Sequence, residues 1–228
     1  MNLLAIETSS SVAGAAVMVD GKLIAEEYLD HRLTHSEMIL PMVDRVLHGA
    51  GLQTEELSAI AADVGPGSFT GVRIGVCLAN GMAAALGVPV VAVDALEAMA
   101  SLFPAFDGAV CPLLDARGEQ IYAAAYFTGG EEPVLAMERF AGNVNDFLEQ
   151  LNTLGVPLCF VGDGAPVHEA RIRALFPQAR FAPPHLNRQR ASAVAALAAR
   201  RVARGETVRE AMPMYLKKPQ AERMKHGD

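Results

Sequence analysis

The sequence predicts an α/β protein of two lobes that share one topology. Three observations carry this expectation. Apolar runs, turn signals and helix caps divide roughly the first hundred residues into three strands, a helix, a strand, a helix and a strand. A similar series restarts at Ala109. The 228 residues, 51% of them hydrophobic, can bury a sizeable core yet are long for one typical domain.

Leu3 to Ile6 is an apolar run suited to a buried strand, and it stops at Glu7-Thr8-Ser9-Ser10. Val12 to Val19 and Lys22 to Tyr28 flank Asp20-Gly21, a two-residue hairpin signal because both turn positions tolerate positive φ. Thr34-His35-Ser36-Glu37 has capping-box spacing and predicts a helix to about His48, kinked at Pro41. Leu57 to Val64 then reads as a strand, Thr70 to Leu86 as a helix, and Val88 to Val93 as a strand after the Gly87 stop. In the second series Ala109 to Asp115, Gln120 to Phe127, Val134 to Arg139 and Leu158 to Val161 read as strands. Asn145 to Leu154 and Pro166 to Phe176 read as helices. A last, alanine-rich helix runs from Ala191 to Arg204 and ends at Gly205. The expected lobes are 1–101 and 102–190, with 191–228 as a helix and basic tail, the helix packing back on the first lobe.

A net charge of −7 argues against a surface that coats nucleic acid or anionic membrane throughout. The charge is uneven: from Arg188 onward ten Lys and Arg face four Asp and Glu, a net of +6, which leaves −13 for the rest. Cys77, Cys111 and Cys159 lie far apart and fit neither a disulfide framework nor a zinc knuckle. The amino end has no basic leader, and no uninterrupted apolar stretch approaches the ~20 residues of a bilayer span, so a cytoplasmic protein is expected.

Five expected strands end in an acid: Glu7, Asp63, Asp94, Asp115 and Asp163. Ligands of open α/β sheets bind beyond the carboxyl ends of strands, and acids there also cap helices, so both readings stand. Gly65-Pro66-Gly67-Ser68-Phe69-Thr70-Gly71 joins a strand to a helix, where free amides favour an anion. Val72-Arg73 replaces the Lys-Ser/Thr pair of a Walker loop, and Gly71 arrives one residue late for G-x-G-x-x-G.

In the helix that follows, Gly71, Gly75 and Ala79 form a small-sided stripe, suited either to its own lobe or to a partner's helix. The first helix spreads Met38, Ile39, Leu40, Met42, Val43, Val46 and Leu47 over about 200°, whereas packing on one core takes roughly 100°. Of these, Met38, Ile39, Met42, Val43, Val46, Gly71, Gly75 and Ala79, together with Val72 and Met82, outline a candidate partner interface. Catalytic patterns are poor: His31-x-x-x-His35 has no acid between its imidazoles, and no serine sits in a G-x-S-x-G elbow.

"LLAIETSSS", "VGPGSFTGVRIG", "LLDARGEQIYAA" and "PMYLKK" together closely resemble the TsaB (YeaZ) family of bacteria, over the whole chain. The resemblance implies a two-lobed actin/Hsp70/sugar-kinase fold, each lobe a mixed sheet with flanking helices. It also implies a noncatalytic role in making N6-threonylcarbamoyladenosine on tRNA, as partner of the transferase TsaD and, with it, of the ATPase TsaE. Pairing through the first two helices is implied, with TsaD or, in its absence, with a second copy. TsaD carries a metal-binding H-x-E-x-H, and the corresponding stretch here is Ala95-Leu96-Glu97-Ala98-Met99, which lacks both imidazoles.

The expected function is therefore an accessory subunit with no cofactor of its own, ATP or ADP lying at the junction of the complex. Thr8, Ser9, Gly65 and Gly67 are the candidate phosphate contacts. Arg200, Arg201, Arg204, Lys217 and Lys218 are the candidate tRNA contacts. The alternatives are an actin-fold ATPase or small-molecule kinase using Glu7 and Asp94, and a metallopeptidase.

Overall fold

The structure, a computed structural model, describes residues 1–30 and 35–216. Its first sheet contains β1 (Asn2–Glu7), β2 (Val12–Val19), β3 (Lys22–Asp30), β4 (Ala59–Asp63) and β5 (Val90–Val93), in the order β3-β2-β1-β4-β5. The second contains β6 (Ala109–Asp115), β7 (Gln120–Phe127), β8 (Val134–Asn143), β9 (Leu158–Val161) and β10 (Arg180–Phe181), in the order β8-β7-β6-β9-β10. In each, three antiparallel strands are followed by two parallel ones, so the second sheet repeats the first strand for strand.

The hairpin turn is made by Asp20 and Gly21, at φ +48° and +78°. Within β1, Leu4 and Ile6 face one core while Leu3 and Ala5 face another. Alternation of period two thus shows as a continuous apolar run, because both faces are covered. On one face lie α1 (His35–Ala50) and α2 (Phe69–Leu86). On the other lies α7 (Ala191–Ala203), whose alanines let its axis approach β1, β2, β4 and β5 closely.

Wedged between the sheets is α3 (Ala95–Ala100), a short helix the sequence reading had not separated from its surroundings. Its Ala95, Leu96 and Met99 are buried with Val110, Leu114 and Tyr126 of the second sheet. An apolar layer therefore joins the lobes. Helices α4 (Val144–Leu151), α5 (Gly164–Val167) and α6 (Glu169–Leu175) accompany the second sheet.

Element ends differ from expectation where local chemistry intervenes. A single 3-10 turn at Thr54–Glu56 delays β4 to Ala59. The expected helix from Pro166 to Phe176 is two pieces that meet at His168, and Pro166, which has no amide proton, sits in the first turn of α5 where none is needed. Helix α1 continues as one element through Pro41. The Thr34 capping box and His31 lie outside the described residues.

Candidate functional site

The strand-end acids come together, and their partners show what they do. Ser9 donates its hydroxyl to Glu7 Oε1 at 2.7 Å, and its backbone N–H reaches the same oxygen at 2.6 Å. The Ser9 hydroxyl also lies 3.1 Å from Asp63 Oδ2, while the Gly65 N–H donates to Asp63 Oδ1 at 2.6 Å. Burial pushes the Asp63 carboxyl well above the ordinary carboxylate range, and the neighbouring Glu7 charge pushes it further. The Ser9 hydroxyl thus stands between the two buried carboxyls, and Asp63 is held toward its protonated form.

Asp94 accepts from the amides of Leu96 and Glu97 as the cap of α3 and pairs with Arg139 of β8, across the lobes. Asp163 accepts from the Asp115 amide at 2.8 Å and faces Arg188 at 3.3 Å. Capping, loop anchoring and ion pairing thus engage each of these acids. Among the described residues, no group of three or more His, Cys, Asp or Glu is arranged to hold a metal.

Thr8 and Ser9 are buried, and the Thr8 hydroxyl donates to the Gly71 carbonyl at 2.8 Å. The Ser68 amide donates to the Ser9 carbonyl at 2.6 Å. A Cβ on Gly67 would stand 2.0 Å from the Ser9 carbonyl oxygen, and one on Gly71 2.1 Å from that of Thr8. The glycines are therefore required because the β1–β2 loop and the start of α2 touch backbone to backbone. Gly65 adopts φ +91°. The Thr8 and Ser9 hydroxyls and the Gly65 amide are bonded internally, while Ser9 and Gly67 also line the cleft described below.

Most of the expected partner face turns inward. Gly71, Gly75 and Ala79 are turned toward β1, and Ile39, Met42, Val43, Val46 and Val72 lie in the core that the first sheet forms with α1 and α2. These eight belong to the lobe's own packing. Only Met38 and Met82 of the ten are partly exposed. The outward side of α2 instead carries exposed Cys77, Gly81, Ala84 and Ala85, flanked by half-buried Ile74 and Leu78. Leu40 on α1 is 56% exposed.

This outer stripe was missed, although its signal was legible. Helix α2 is apolar around most of its girth, with a mean hydropathy of 1.4 that by length and composition would suffice to cross a membrane. A surface helix packed on one core shows a polar opposite face, and beyond Thr70 and Arg73 in its first turns this one does not.

Two of the arginines assigned to tRNA have internal work. Arg201 donates to the Ala92 carbonyl at 2.7 Å and to Glu97 at 2.6 Å, and Arg204 pairs with Glu132 and Glu206. Arg200 is exposed, while Lys217 and Lys218 lie outside the described residues.

Beyond the carboxyl ends of the central strands, a cleft of about 620 Å³ opens between the sheets. Ser10, Gly67 and Phe69 line one wall, Asp115 and Arg117 the other, and Tyr215 closes one side. Tyr215 comes from the chain's return over the first lobe, held by reciprocal Asn80–Ala211 hydrogen bonds and by the Met214 amide on the Val64 carbonyl. The Arg73 guanidinium lies over the Phe69 ring at 3.7 Å and bonds the Tyr215 hydroxyl at 2.7 Å. Gln189, also on the cleft, was not singled out from the sequence.

Residues 30–225 match the family model described as "TsaD: tRNA N6-adenosine threonylcarbamoyltransferase". Over 177 residues the chain is 35% identical to the tRNA threonylcarbamoyladenosine biosynthesis protein TsaB of Bacillus subtilis, covering 75% of each. A crystal structure of an uncharacterized Pseudomonas aeruginosa protein with similarity to peptidase YEAZ aligns with a TM-score of 0.82 at 29% identity, over 95% of this chain and 99% of that one. An activator of 2-hydroxyisocaproyl-CoA dehydratase from Clostridium difficile, with bound ADPNP, aligns with a TM-score of 0.54 at 11% identity, over 90% and 98% of the two chains. That last likeness is one of fold alone. The architecture is the two-lobed actin/Hsp70/sugar-kinase arrangement that the sequence motifs implied.

Proposed function

Because the chain belongs to the TsaB (YeaZ) family, we propose that it serves tRNA N6-threonylcarbamoyladenosine formation as an accessory subunit that docks on a TsaD-type transferase. The observation that carries this reading is the outer stripe of α2. Cys77, Ala84 and Ala85 present small side chains to solvent along an 18-residue helix, with Gly81 leaving a notch among them, and Leu40 of α1 is exposed as well. Small residues let a second helix approach closely, and a two-helix face of this kind suits a four-helix interface. In the absence of the transferase a second copy would cover the same face.

Support for a noncatalytic role comes from Ala95 and Met99. They stand at the positions that the resemblance aligns with metal-binding histidines, and both are packed in the interlobe core. Burial and internal hydrogen bonding of the acids leave neither a kinase base nor a peptidase centre as the favoured reading. Within the complex, a subunit that binds only the competent state of its partner raises that state's population without chemistry of its own. An ATPase of the TsaE type, ATP or ADP at the junction, tRNA held by the assembly and a cytoplasmic setting complete the proposal.

The test is co-purification of the full chain with its TsaD-type partner. Gly81→Glu places a charge on the stripe where a Cβ meets nothing within 4 Å. The variant should fold as the parent does yet fail to associate. Unimpaired association by a folded Gly81→Glu protein, or rapid tRNA modification by the parent chain alone, refutes the proposal.

A further inference from the structure

We propose that Arg73 is the specificity contact of the docking face, and that the surface which the TsaD-type partner lays on α2 presents a carboxylate to meet it; the inference rests on the docking role proposed for α2. Arg73 is the single charged residue among the 18 of that helix. It is exposed, stands one turn before Cys77 at the start of the outer stripe, and has no ion pair among the described residues.

An exposed arginine is ordinarily free to move, but this one is held. Its guanidinium lies over the Phe69 ring at 3.7 Å, and its Nε donates to the Tyr215 hydroxyl at 2.7 Å. The Phe69 and Tyr215 rings in turn pack with centroids 4.9 Å apart. Tyr215 is itself anchored by the chain that brings it. The buried Ala211 engages both ends of the Asn80 side-chain amide at 2.9 Å, and the Met214 amide donates to the Val64 carbonyl at 2.7 Å. Of the guanidinium's N–H donors only that on Nε is engaged, and those on Nη1 and Nη2 have no partner among the described residues.

A helix packed on the stripe strips water from whatever the stripe carries. A free arginine would swing its charge back to solvent, whereas two aromatic rings and a hydrogen bond keep this one in place. Its two open amino groups then require an acceptor from the partner, because a desolvated cation left unpaired is strongly destabilising. A carboxylate accepts the two parallel N–H bonds that a planar guanidinium offers. Arginine and tyrosine are also among the residue types in which interface energy concentrates. A tRNA phosphate is disfavoured as the occupant, since a phosphate backbone repeats its charge and α2 carries no second cation to follow it.

Association of the full chain with its TsaD-type partner, measured by calorimetry from low to high salt, tests the proposal. Arg73→Gln should bind about tenfold more weakly at low salt, and its affinity should depend less on salt than the parent's, because an ion pair has gone. Arg73→Lys keeps the charge without the planar fork and should recover only part of the affinity. Tyr215→Phe keeps the ring, releases Nε and should weaken binding about threefold. Parental affinity in Arg73→Gln overturns the proposal, and Gly81→Glu then decides the docking role separately: that role stands if Gly81→Glu still fails to associate and falls if it does not. A loss of affinity in Arg73→Gln that is equal at every salt concentration also overturns the proposal, since it reports a structural defect and not a lost ion pair. So does an Arg73→Gln chain that associates normally while the assembled complex loses tRNA affinity, which would assign Arg73 to nucleic acid.

Discussion

A Cβ added to Gly75 would stand 2.3 Å from the Thr8 Oγ1, a separation that no real Cβ contact shows. Since that hydroxyl is engaged with the Gly71 carbonyl, it cannot yield cheaply. Six residues further along α2, Gly81 faces open space. Gly75→Ala should therefore destabilise the fold by roughly 1–3 kcal/mol through overpacking. Gly81→Ala should stabilise it by up to about 1 kcal/mol through helix propensity. Urea unfolding of both variants measures the contrast, and equal effects would contradict the inward orientation of Gly75.

The same pair explains what the sequence disclosed and what it withheld. The duplicated strand order was legible because hairpins and helix stops are local signals, such as Asp20-Gly21 and Gly87. That Gly71, Gly75 and Ala79 formed a stripe was legible too. The direction in which the stripe pointed was not, because small residues serve a neighbouring strand as well as a foreign helix. Likewise α3 hid in a six-residue segment, too short for periodicity to reveal.

Cys77 provides a footprint of the docking face. It is exposed, whereas Cys111 and Cys159 are buried. Burial pushes the thiols of both buried cysteines up, which keeps them as unreactive thiols. Alkylation of the folded chain should label Cys77 first. Saturating TsaD-type partner should slow that reaction about tenfold or more, because the unbound fraction sets the rate. Unchanged labelling in a verified complex would move the interface off α2.

Arg201 is expected to matter for stability before it matters for any nucleic acid. Its guanidinium satisfies both the Ala92 carbonyl and the largely buried Glu97 carboxylate. Arg201→Gln leaves that carboxylate without its cation and should cost roughly 3 kcal/mol in chemical denaturation. Exposed Arg200 has no such role to lose. Arg200→Gln should leave the unfolding midpoint within experimental error of the parent, and a comparable loss in both variants would contradict the assignment.

The Glu7–Asp63 pair gives the protein a pH dependence of unusual sign. Most paired carboxylates stabilise a fold as they ionise, but Asp63 keeps its proton in the fold, held there by burial and by the Glu7 charge. In the unfolded chain it ionises near the ordinary value of 3.8. The folded state thus binds more protons than the unfolded state in the window above that value, and stability contributed by this site falls as pH rises toward the folded pKa. Asp63→Asn removes the titration while its carboxamide can still accept from the Gly65 amide and donate to the Ser9 hydroxyl oxygen. Relative to the parent, the variant should gain stability at about pH 8 and lose that advantage near pH 4. Thermal melts at both values decide the matter: an advantage for the variant that grows on acidification would mean that Asp63 is ionised in the fold.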